Sequence, residues 1–104
     1  MPRAAPLSPR EITLRLDGVL DVPAARRLER AIADLRPGAA VRIDLTHVRE
    51  SHDFGIAVLA QTLKHLDSVR VVLQGLCAHQ ARMMRYFGVD ADRFQAPVRR
   101  GASP

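Results

Sequence analysis

Ser51-His52-Asp53 supplies the three residue types of a hydrolase triad: a nucleophile, a base and an acid to orient the base. Neighbouring side chains diverge, however, whereas a working triad converges on one substrate atom. The tripeptide therefore reads as a loop end and helix cap, or as a partner contact. His47, His52, His65, His79 and Cys77 are candidate metal ligands, but no pair has a recognised ligand spacing. Gly18 and Gly75 stand singly near turns, without the glycine pattern that cradles phosphate in a P-loop or dinucleotide site. Met83-Met84 beside Tyr86-Phe87 reads as core packing, and Cys77 as a small, partly buried apolar residue at a strand end. No catalytic, cofactor-binding or metal-binding residues are expected, and the class is non-enzymatic.

The bulk numbers bound what else the chain can be. Its 104 residues suit one core, and 47% hydrophobic with 26% charged residues is a globular composition. No apolar run has the roughly 18 residues needed to span a bilayer. The opening MPRAAPLSPR lacks a signal-like apolar stretch, so a cytoplasmic location is expected, in keeping with a lone cysteine. Net charge +5 suggests a nucleic-acid binder using Arg-rich tails. Setting aside Arg3, Arg10, Arg99 and Arg100 leaves 12 basic against all 11 acidic residues between Glu11 and Ala96, so the domain itself is nearly neutral. Nucleic acid is not the expected partner.

The elements that position these residues follow from periodicity. Ile12, Leu14 and Leu16 alternate with polar residues as a strand, and Asp17-Gly18 turns into Val19-Leu20, which reads as a hairpin. Asp21 can cap a first helix with Pro23 in its first turn and Ala24, Leu28, Ile32 and Leu35 on its buried face. Val41, Ile43 and Leu45 form the next strand, and Thr46 to His52 a polar loop. A second helix starts near Asp53, with Ile56, Leu59, Leu63 and Leu66 as its apolar stripe. Val69, Val71 and Leu73 give a third core strand, and a third helix over about 78–87 buries Met83, Met84 and Phe87 before Gly88. Phe94 could add a short last strand.

The expected fold class is α/β, a small mixed β-sheet of four to five strands with about three helices packed on it. Residues 1–10 and 97–104, rich in proline and glycine, read as irregular tails around a domain at 11–96.

Three local patterns in this order resemble the STAS domain, the module of anti-sigma factor antagonists and of sulfate-transporter tails. Leu16-Asp17-Gly18-Val19-Leu20-Asp21 resembles the family's entry into its first helix. Asp44-Leu45-Thr46-His47-Val48 is similar to its strand end, and Arg85-Tyr86-Phe87-Gly88-Val89 to a later helix end. The resemblance covers about residues 11–94. Counted without gaps from Asp44, His52-Asp53-Phe54-Gly55 stands where the family has Asp-Ser-Ser-Gly or Asp-Ser-Thr-Gly. The glycine agrees; the hydroxyl residue that a partner kinase phosphorylates is Phe54, which cannot take phosphate. Ser51 has a hydroxyl three residues earlier but aligns with an apolar family position, so phosphorylation is not expected there either. The family's fourth, C-terminal helix has no counterpart after Phe94.

The resemblance implies a non-enzymatic regulatory domain, similar to anti-sigma factor antagonists, that binds an anti-sigma factor or related kinase-like protein. Asp21, Ser51, His52, Asp53, Phe54 and Gly55 are the implied partner-binding residues. Phe54 serves equally as an exposed anchor or as a packed neighbour. The alternatives are a STAS-like subunit that scaffolds the ATPase of a lipid ABC transporter and, from the charge, the nucleic-acid binder.

Overall fold

The computed structural model describes residues 11–95. Strand β1 (Glu11–Arg15) and strand β2 (Gly18–Leu20) lead into helix α1 (Val22–Ala33); strands β3 (Ala40–Asp44) and β4 (Val48–Ser51) lead into helix α2 (Asp53–Lys64). Strand β5 (Arg70–Gln74), helix α3 (Ala78–Tyr86) and a 3-10 turn at Ala91–Phe94 follow. The tails expected at 1–10 and 97–104, and the segment where a fourth helix would follow, lie outside the described residues.

β1, β3 and β5 form a parallel sheet in the order β1-β3-β5, with Leu14 opposite Ile43 and Ile43 opposite Leu73. β2 and β4 pair parallel as a short second sheet. The hairpin expected from Ile12–Leu16 and Val19–Leu20 does not form. Leu16 N–H donates to the Asp44 carbonyl at 3.1 Å and Gly18 N–H to that of His47 at 3.0 Å, so pairing runs on past Leu16-Asp17 in one direction. Gly18, at φ +81°, takes the bend there that an L side chain resists. The polar loop expected at Thr46–His52 likewise contains β4, whose Arg49 and Glu50 are exposed because this strand is only partly covered. Phe94 belongs to the 3-10 turn, although the next residue, Gln95, makes an isolated bridge to Leu73.

Val41, Ile43 and Leu73 turn one sheet face to the helices, which cover it with Ala24, Ala25, Leu28 and Ile32 of α1, Ile56, Leu59, Ala60 and Leu63 of α2, and Met84 of α3. Alternation puts Arg42 on the other face, where its guanidinium reaches Glu11 Oε2 at 3.2 Å and Gln74 Oε1 at 3.4 Å. Of the three large residues expected to be buried by α3, only Met84 is fully so; Met83 and Phe87 are half-buried.

Where β3 ends, Asp44 Oδ1 accepts the Thr46 N–H at 2.9 Å. The Thr46 hydroxyl, and after it this N–H, hold the Asp44 carboxyl below the ordinary carboxylate range. A lowered folded-state pKa stabilises the fold above the unfolded value and ceases to do so as pH falls through the folded one. The stability gap between wild type and Asp44→Asn, read from urea midpoints, should therefore be open at pH 7 and shrink steadily below about pH 4.

Candidate functional site

All the strands run parallel, so the chain leaves the sheet at its carboxyl edge and enters each helix there, the usual place for a site in an open α/β sheet. β2 passes through Asp21 into α1, β4 through His52 into α2, and β5 through Gly75-Leu76-Cys77 into α3.

Asp21 is the N-cap of α1 and accepts the Ala24 N–H at 3.0 Å. Asp21→Ala should cost about 1 kcal/mol, measurable by thermal unfolding. The start of α2 is held against this junction. His52 N–H donates to the Leu20 carbonyl at 2.9 Å, and Gly55 is buried against the backbone of Leu20 and Asp21. A Cβ on Gly55 would lie 2.7 Å from Asp21 Cα, closer than side-chain carbons come to backbone, so only glycine lets the two segments approach this far.

The side chains of this edge point in different directions. Ser51 is half-buried, and its Oγ accepts Gln80 Nε2 of α3 at 2.7 Å. Gln80 Oε1 in turn accepts the Cys77 N–H at 2.9 Å and so caps α3. His52 Nε2 faces Glu50 Oε2 at 3.1 Å on the surface. Asp53 is exposed in the first turn of α2, where its charge opposes the positive end of the helix dipole. Phe54 is 76% exposed, with its ring in solvent at the helix start. Asp21, Gly55 and His52 are thus joined through backbone, Ser51 points inward to α3, and Asp53 and Phe54 face outward.

This arrangement does not assemble Ser51, His52 and Asp53 into a triad. Ser51 faces Gln80, His52 faces Glu50 and Asp53 is exposed, and no side-chain hydrogen bond links any two of them among the described residues. Cys77, expected to be partly buried at a strand end, is exposed at the N-cap of α3, three residues beyond β5. What the edge offers is one exposed aromatic ring, Phe54, next to one exposed carboxylate, Asp53.

Gln80 is the residue that sequence reasoning missed. It is 3% exposed and the buried polar side chain of the described core. Its signal was a glutamine at the third position of a helix, where a capping box places Glu or Gln; Cys77, instead of Ser or Thr at the cap, obscured it. Ser51→Ala leaves the Gln80 amide donor buried and unpaired, and should lower the unfolding free energy by about 1–2 kcal/mol in urea titrations.

The family model described as "Mlab, STAS domain" matches residues 4–97. Among solved structures, the STAS domain of a SulP transporter from Vibrio cholerae is similar in fold, with a TM-score of 0.65 at 19% identity over 93% of this chain and 80% of that one. No curated protein matches the sequence. Among the described residues, no helix is long and apolar enough to cross a membrane.

Proposed function

The chain belongs to the STAS domain family, whose members are in general non-enzymatic interaction and regulatory domains, and from that membership we propose a partner-binding role without a phosphate switch. The partner is a protein of the anti-sigma factor or related kinase-like type. It contacts the carboxyl edge of the sheet beside Asp21, at the exposed His52, Asp53 and Phe54, with Phe54 as the anchor and Ser51 and Gly55 holding the turn from within, in a cytoplasmic complex formed by the 11–96 domain. The carrying observation is the 76% exposure of Phe54, the residue that the gapless count from Asp44 sets at the family's phosphorylation position. An aromatic ring held in water at a helix start gains most from entering a partner's pocket, since burial removes its apolar surface from solvent.

Two further observations support a switchless complex. Phe54 has no hydroxyl, and the Ser51 hydroxyl is engaged by Gln80, so a phosphate there would displace a half-buried hydrogen bond before it could signal. Complexes of this protein should therefore persist where a phosphorylatable relative's complex would dissociate.

The missing hydroxyl also favours a second reading, a subunit that scaffolds the ATPase of a lipid ABC transporter, because scaffolding requires no phosphorylation. Gentle affinity purification from the native cell separates the two. A kinase-like regulator recovered with wild type and lost with Phe54→Glu supports the first reading. A transport ATPase recovered in its place replaces it with the second, and recovery unchanged by Phe54→Glu overturns the proposed surface. If the regulator is found, Phe54→Ser should become its kinase substrate.

A further inference from the structure

β1 borders the three-stranded sheet, and among the described residues nothing pairs with its outer edge. Because Leu16 and Gly18 donate their N–H groups toward the neighbouring segment, the even-numbered residues of this stretch turn their backbone groups inward. Alternation then turns the N–H and C=O groups of Glu11, Thr13 and Arg15 outward. Such a row is a template for another strand unless something blunts it. Neither proline, lysine nor a bulge interrupts Glu11–Arg15. The sequence before it carries Pro2, Pro6 and Pro9, whose nitrogens have no hydrogen to donate to a ladder.

Glu11-Ile12-Thr13-Leu14-Arg15 is complementary to itself when run antiparallel. Centred on Thr13, the pairing sets Glu11 opposite Arg15 of a second copy, and Arg15 opposite its Glu11. The residues whose backbone groups face outward are the ones that become hydrogen-bonded pairs in this register. Both charge pairs fall on the open face of the sheet, while Ile12, 37% exposed, meets Leu14 of the second copy on the helix side. Sliding by two residues loses both charge pairs, and sliding by one turns apolar side chains to solvent.

We propose that the outer edge of β1 is a self-association site, at which two copies of this chain join their sheets antiparallel across a two-fold axis at Thr13. The within-chain partners of the two charges, Asp17 at 2.8 Å from Arg15 and Arg42 at 3.2 Å from Glu11, are surface contacts that bind weakly and leave both charges available to the second copy. The interface is small, so the dimer is a transient one, visible at about 0.1–1 mM protein.

Sedimentation velocity on the full chain tests this. Wild type should show a concentration-dependent dimer. Glu11→Arg alone and Arg15→Glu alone place like charges opposite each other twice, and each should raise the dissociation constant about ten-fold or more. An equimolar mixture of the two variants restores opposite charges at both positions and should dimerise as wild type does. This recovery also excludes misfolding as the cause of the single-variant losses. Thr13→Pro, which removes only an outward N–H, should abolish the dimer with the circular dichroism spectrum unchanged. A wild type monomeric throughout this range overturns the proposal, as does a dimer indifferent to both reversals or a mixture that stays monomeric. Dimerisation only after deletion of residues 1–10 overturns it too, by showing that the chain's own N-terminal segment occupies the edge.

Discussion

Phe54→Ala is expected to weaken partner binding by about 30-fold to 1,000-fold, the range of about 2–4 kcal/mol for a central aromatic anchor. It should leave the unfolding free energy within about 0.5 kcal/mol of wild type, because the ring is 76% exposed and supports nothing in the free domain. That separation is the informative part. A core aromatic would move stability by several kcal/mol, whereas a solvent-facing anchor moves affinity alone. Tyr86 supplies the control, being 79% exposed at the end of α3. Lys64 Nζ, at the far end of α2, donates to the Phe87 carbonyl at 3.5 Å, so Tyr86 sits by the opposite end of α2 from Phe54. A helix of twelve residues separates those ends by about 18 Å. Titration calorimetry with the identified partner should show Phe54→Ala impaired and Tyr86→Ala near wild type.

Gly55→Ala is expected to lower the unfolding free energy by about 3 kcal/mol, from the other side of the same turn. The new methyl would sit 2.7 Å from Asp21 Cα and 2.8 Å from its carbonyl carbon, and neither atom can swing aside as a flexible side chain would. Relief requires α2 to lift from the β2–α1 junction. That movement stretches the 2.9 Å hydrogen bond from His52 to Leu20 and loosens Ile56 and Leu59, both at 0% exposure. The midpoint of urea unfolding should fall with an unchanged slope. Affinity should fall too, since Phe54 is carried on the displaced turn. The two substitutions are thus expected to differ in kind: Phe54→Ala should change affinity alone, and Gly55→Ala both stability and affinity.

α1 was the most legible element. Asp21, Pro23 and the Ala24, Leu28, Ile32 stripe announce a cap, a first turn and a buried face, and these are local features of the chain. The start of α2 and the ends of β3 and β5 were legible for the same reason. β4 was not, because Val48-Arg49-Glu50-Ser51 has the composition of a loop and becomes a strand only by pairing with β2, far away in sequence. The hairpin expectation failed through the same non-locality: an Asp-Gly turn signal says that the chain bends, and the partner strands decide which way it continues.

Within the site, the exposure of Phe54 could have been read from α2 itself. The stripe Ile56, Leu59 and Leu63 fixes the buried face, and residue 54 lies two positions, or about 200°, from Ile56 around the helix. The Ser51–Gln80 bond joins two elements across 29 residues, and no local pattern encodes it. The close approach at Gly55 was visible only as a family glycine; its physical reason, the backbone of Leu20 and Asp21, emerges in three dimensions.

Tagged protein recovered from the native cell tests whether the exposed start of α2 is the partner surface. Wild type, Phe54→Glu and Tyr86→Glu are purified in parallel at low salt, and the accompanying proteins are quantified by mass spectrometry. One kinase-like regulatory partner should accompany wild type and Tyr86→Glu and be depleted at least about 30-fold with Phe54→Glu. Equal recovery of that partner by all three proteins would contradict this expectation.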